Sequence, residues 1–123
     1  MPDYFLDTSV CIAILEGESQ QAATRMSSFE VGQIVTSAIV FAEVMIGARQ
    51  RDRLAEANAF FAQVPILPFD EASGARYAAL PFKRGSYDRL IAAQALALGL
   101  VLVTANVRDF ANIPDLDVED WTR

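Results

Sequence analysis

Five short, mostly apolar runs recur along the chain: Tyr4 to Leu6, Ile34 to Thr36, Ile66 to Phe69, Leu100 to Val103 and Leu116 to Val118. Stretches with helical signals separate them, and this alternation constrains the fold more than any other feature. Runs such as Leu100 to Val103, with no polar alternation, read as parallel strands covered on both faces. The expected architecture is α/β, a mainly parallel central sheet of about five strands flanked by helices. At 123 residues, 53% of them hydrophobic, the chain is long enough for one core and too short for two, so a single domain over residues 1–123 is expected.

Punctuation along the chain places the helices. Thr8 or Ser9 reads as the cap of a helix running to Gly17, and a polar helix covers about Ser19 to Phe29. Ser37 reads as the cap of a helix from about Ile39 to Arg49, and another spans roughly Arg51 to Ala62. Pro68 marks its strand as an edge. A helix near Glu71 to Leu80 stops at Pro81, a basic turn follows at Lys83 to Ser86, and Ser86 or Tyr87 opens a helix closed by Gly99. A short helix is expected around Val107 to Phe110. In such sheets ligands sit outside the carboxyl ends of the strands, where Asp7 and the segment from Thr104 to Asp109 both fall.

Composition removes several chemistries. The longest nearly apolar run, Leu90 to Val103, contains Gln94 and Gly99 and falls short of the roughly 20 residues of a membrane helix. The start, Met1-Pro2-Asp3-Tyr4, lacks the basic region of a signal peptide, so a cytoplasmic location is expected. With no histidine and a single cysteine, Cys11, histidine triads and the common zinc sets are excluded. A net charge of −6 argues against binding nucleic acid through a broad basic surface. Nine of the ten bases are arginine, a residue suited to local phosphate contacts or to ion pairs.

Three carboxylates interrupt apolar stretches: Asp7 after Phe5-Leu6, Glu43 within Val40-Phe41-Ala42-Glu43-Val44, and Asp88 before Leu90-Ile91. Burial of such groups is costly unless they are paired or bound to metal. Asp7 also reads as a capping aspartate, Glu43 as a paired interhelical acid, Asp88 as a first-turn acid favoured by the helix dipole, and Asp109 as helix surface. Should several converge, their repulsion calls for a hard cation with oxygen ligands, Mg²⁺ or Mn²⁺, which suits attack of water on a phosphodiester.

Four segments carry a resemblance. Leu6-Asp7-Thr8-Ser9, Ala42 to Gly47, Tyr87 to Ala93 and Leu102 to Phe110 are similar, in order, to the motifs of the PIN domain, as found in VapC-type toxins of toxin–antitoxin pairs. The resemblance implies a three-layer PIN fold and a Mg²⁺- or Mn²⁺-dependent endoribonuclease acting on cellular RNA. It also implies a homodimer neutralised by a VapB-type antitoxin. Asp7, Glu43, Asp88 and Asp109 would then be the catalytic, metal-holding acids, with Thr8, Ser9, Thr104 and Asn106 as polar residues around them. Many relatives carry histidine at the position of Gln94, and the stretch before Asp88 is shorter here than usual. Lys83, Arg84 and Arg89 are the expected phosphate contacts.

The rivals are weaker. A receiver-like phosphoacceptor needs a lysine after a late strand, and Lys83 lies in a turn. A dehalogenase-type phosphatase needs aspartate where Ser9 stands, and an adhesion-type metal motif needs serine where Cys11 stands. A PIN fold that binds RNA or a partner without cutting remains the alternative. The apolar residues Val10, Ile12, Ile14, Leu15, Phe29, Val31, Phe41, Val44, Met45, Phe60 and Phe61 exceed what a small sheet should cover, so some are expected at the surface.

Overall fold

The computed structural model describes residues 2–81 and 86–123. Lys83 and Arg84 of the basic turn lie outside the described residues. The elements run β1 (Tyr4–Leu6), α1 (Thr8–Leu15), α2 (Gln20–Ser27), β2 (Ile34–Ser37), α3 (Ala38–Gln50), α4 (Leu54–Ala62), β3 (Ile66–Leu67), α5 (Glu71–Ala79), α6 (Tyr87–Leu98), β4 (Val101–Thr104), a 3-10 helix (Val107–Phe110) and β5 (Val118–Asp120). All five strands are parallel, in the order β3-β2-β1-β4-β5. The chain steps outward from β1 to β3, returns to lay β4 on the other side of β1, and so creates a switch point between β1 and β4.

Burial follows from this topology. Neighbouring strand residues point to opposite faces, yet Phe5 and Leu6 are both fully buried, so both faces of β1 are covered. The core continues through Val35, Ile91, Leu102, Val103 and Trp121. Among the described residues no helix is long and apolar enough to cross a membrane.

Local chemistry explains the departures from expectation. Asp7, not Thr8 or Ser9, caps α1, accepting from the Val10 N–H. α4 starts at Leu54 rather than near Arg51, because Asp52 adopts a left-handed backbone with φ of 56° that breaks the helix. β3 ends at Leu67, since Pro68 has no N–H to continue the ladder. β5 lies two residues later than expected, after the left-handed Asp115, in register with Leu102 to Thr104. Gly99 closes α6 with φ of 69°, the conformation that glycine adopts without strain. The apolar excess is largely absorbed: Val10, Val44, Phe60 and Phe61 are core, and of the suspected set only Val31 is exposed. Ile46, outside that set, is also exposed.

Gln94 proves to be a structural hub. Its side chain is buried on α6, accepts from the Ser37 hydroxyl at 2.6 Å and donates to the carbonyls of Leu67 and Pro68 at 3.2 and 3.0 Å. Ser37 also caps α3, so this one amide ties α3, α6 and the end of the edge strand together. Gln94→Leu keeps the volume and strands these partners. It should lower unfolding stability by about 2–3 kcal/mol, read as a shift in urea midpoint at unchanged slope.

Candidate active site

β1 delivers Asp7 to the switch point, where its N–H donates to the Val103 carbonyl at 2.9 Å. The side chain is almost wholly buried and collects three donors. The Val10 N–H donates at 3.0 Å, the Ser9 hydroxyl reaches both oxygens at 2.8 and 3.0 Å, and the Thr104 hydroxyl donates at 2.6 Å. Ser9 and Thr104 also meet each other at 3.0 Å. Ser9 Oγ accepts from the Ala105 N–H and Thr104 Oγ1 from the Asn106 N–H, at 3.0 and 2.9 Å, so the clasp fixes the backbone leaving β4. Burial raises the Asp7 carboxyl from 3.8 to about 6, against the pull of Thr104, Val10 and Ser9, and the charge of Asp88 pushes it further up.

The other three acids come from separate elements. Glu43, half-buried on α3, accepts from the Thr8 hydroxyl at 2.6 Å, a bond between α1 and α3. Asp88 sits in the first turn of α6, where burial and then the charges of Asp109 and Glu43 hold its carboxyl above the ordinary range. Asp109 is exposed on the 3-10 helix and accepts from the Asn106 side-chain amide at 2.8 Å. Asp88 links the four electrostatically: the charges of Asp109 and Glu43 raise it, and its own charge raises Asp7. Every one of the four polar residues named from the sequence therefore bonds an acid of the set.

No ion pair among the described residues neutralises these acids; the observed pairs use Glu16, Glu119 and Asp120. The donor set is all oxygen and mutually repulsive, which in its chemistry fits a hard divalent cation. As the side chains lie, no group of three or more acids among the described residues is closed tightly enough to hold one ion.

Arg89 departs from its expected role. It is buried, and its guanidinium donates to the Pro81 carbonyl, so it anchors the start of α6 rather than facing a phosphate. A buried arginine beside a helix start looks the same in sequence as a surface one. Gln94 points to β2 and β3 rather than toward the acids. Its one visible signal was an amide interrupting the apolar α6.

The raised Asp7 pKa sets a pH signature in chelator. Between about pH 4 and 6 the folded chain keeps a proton that the unfolded chain has released, so stability falls as pH rises through that window. Above it the penalty is complete, about 3 kcal/mol from the size of the shift. Asp7→Asn should abolish this slope and be the more stable protein at pH 8, by urea denaturation in EDTA. A less stable variant would make Asp7 a structural cap and nothing more.

The comparisons with known proteins agree with this fold. The PIN domain family matches residues 4–116. The tRNA(fMet)-specific endonuclease VapC of Salmonella typhimurium is 29% identical over 98% of this chain and 99% of its own. The crystal structure of DNA-bound VapBC from Salmonella typhimurium superposes with a TM-score of 0.88 at 28% identity, covering 98% of this chain and 99% of that one. A toxin–antitoxin complex from Klebsiella pneumoniae gives a TM-score of 0.77 at 25% identity over 93% and 95% of the two chains. With its strand order, Asp7 at the carboxyl end of the central β1 and a match covering nearly its whole length, the chain belongs to the PIN domain family, beside VapC.

Proposed function

We propose that the chain is a divalent-metal-dependent endoribonuclease toxin, with Asp7, Glu43, Asp88 and Asp109 as its catalytic acids and metal ligands. The observation that carries this reading is the energetic cost of the acid group. Asp7 is buried with no cationic side chain paired to it among the described residues, and Asp88 is pushed up by burial and by Asp109 and Glu43. A fold that only bound RNA or a partner would gain nothing from that repulsion. The relatives' names supply the substrate class, since VapC of Salmonella typhimurium is an RNA endonuclease.

Each supporting residue then has a task. Ser9 and Thr104 hold the Asp7 carboxylate in one orientation, Thr8 holds Glu43, and Asn106 holds Asp109. Mg²⁺ is the proposed ion, with Mn²⁺ able to replace it. When bound, such an ion supplies charge stabilisation for the phosphodiester and a nucleophile drawn from water at neutral pH. A VapB-type antitoxin is the proposed inhibitor, the Klebsiella pneumoniae relative being a toxin–antitoxin complex. A homodimer is the proposed assembly of the chain itself.

Purified chain freed of any partner should cleave total RNA with Mg²⁺ or Mn²⁺ and stop in EDTA. Asp7→Asn should drop to background while folding normally by circular dichroism; cleavage at the wild-type rate would remove Asp7 from the site. Thr8→Val, which removes only the bond to Glu43, should cost about 10–100-fold in activity or metal affinity. Binding of a cognate antitoxin peptide should weaken as Mn²⁺ is raised, if a basic side chain of the peptide competes for the same acids. Affinity indifferent to metal would place the partner elsewhere.

A further inference from the structure

Most described arginines are already engaged. Arg25 pairs with Glu119 at 3.4 Å and lies over the Trp121 ring. Arg51 and Arg53 face Glu16 at 2.7 and 3.9 Å, Arg123 faces Asp120 at 3.5 Å, and Arg89 is buried on the Pro81 carbonyl. Among the described residues Arg49, Arg76 and Arg108 have no carboxylate partner. Of these three only Arg108 stands beside the acids, on the 3-10 helix between Asn106 and Asp109.

Arg108 lines a cavity of about 320 Å³ with Ala105, Asn106, Val107, Asp120 and Arg123, at the carboxyl ends of β4 and β5. The cavity shares Asn106 with the acid site, where that amide holds Asp109. Asp120, the one acid of the lining, is already occupied, by Arg123 and by the N–H and hydroxyl of Thr122. That leaves the Arg108 charge as the surplus. Successive residues of a 3-10 helix diverge by a third of a turn, so Arg108 is directed away from Asp109 instead of neutralising it.

A chain of net charge −6 has to hold a polyanion against its own acids. Repulsion there is worst where the acids gather, so a phosphate flanking the scissile one needs a fixed cation alongside. We infer that the cavity between the 3-10 helix and the end of β5 is a phosphate subsite for the RNA strand, with Arg108 as the residue that seats the phosphate. This rests on the ribonuclease reading above and adds where the substrate backbone runs: across the β4–β5 side of the sheet. A phosphate contact there positions the strand without reading its bases.

The test is the salt dependence of binding. Anisotropy of a labelled single-stranded RNA is followed in EDTA from about 50 to 200 mM salt, the range over which phosphate contacts are lost. Arg108→Ala should weaken binding severalfold for every sequence and reduce the log–log salt slope by about 0.7, the loss of one phosphate contact to a single strand. Arg108→Lys should keep the slope, because the charge remains. Arg49→Ala, at the far end of α3, should match the wild type. The inference is overturned if Arg108→Ala leaves the slope unchanged, if Arg49→Ala lowers it equally, or if Arg108→Ala weakens only an antitoxin complex. Wild-type chain that still cleaves RNA in the first two cases leaves the ribonuclease reading standing. Wild-type chain that neither binds nor cleaves removes both.

Discussion

The structure turns on a carboxylate placed where a sheet's central strand ends. Asp7 is buried because β1 is buried, and β1 is buried because the chain pairs it with β2 on one side and β4 on the other. Removing that charge from water is unfavourable, and two hydroxyls and a backbone N–H offset the cost only in part. The same bonds join the start of α1 to the end of β4, so a site and a fold contact are made by one set of atoms. Substituting Ser9 or Thr104 would therefore disturb both.

Strand and helix order was legible because each element obeys its own periodicity and begins or ends on a residue with a physical reason to be there. Ser37, Ser86 and Gly99 act as the caps their chemistry suggests. The acids were legible for a related reason: a carboxylate inside Phe5-Leu6-Asp7 or Ala42-Glu43-Val44 contradicts its surroundings. Register was not legible, because nothing local distinguishes Leu116 to Val118 from Val118 to Asp120. That choice is made by pairing with β4, far along the chain. Arg89 and Gln94 were misjudged or undervalued for the same cause, since their partners at Pro81, Ser37 and Leu67 are fixed by tertiary packing.

Charge is distributed with a division of labour. Glu16, Glu119 and Asp120 carry the ion pairs of the described chain, and all lie outside the acid set. These surface pairs contribute little to stability, each at most about 1 kcal/mol. Their consequence is to occupy arginines that would otherwise be available to the four unpaired acids.

The bond from Thr104 to Asp7 spans 97 positions of sequence. During synthesis β1 leaves the ribosome early and waits unpaired on one side until β4 has emerged, so the constellation around Asp7 has no counterpart in a partial chain. Such distant pairing raises the entropic cost of closure and slows the final step of folding. A truncated product or a stalled nascent chain lacking β4 accordingly lacks Thr104, and the clasp on Asp7 forms only once β4 has paired with β1.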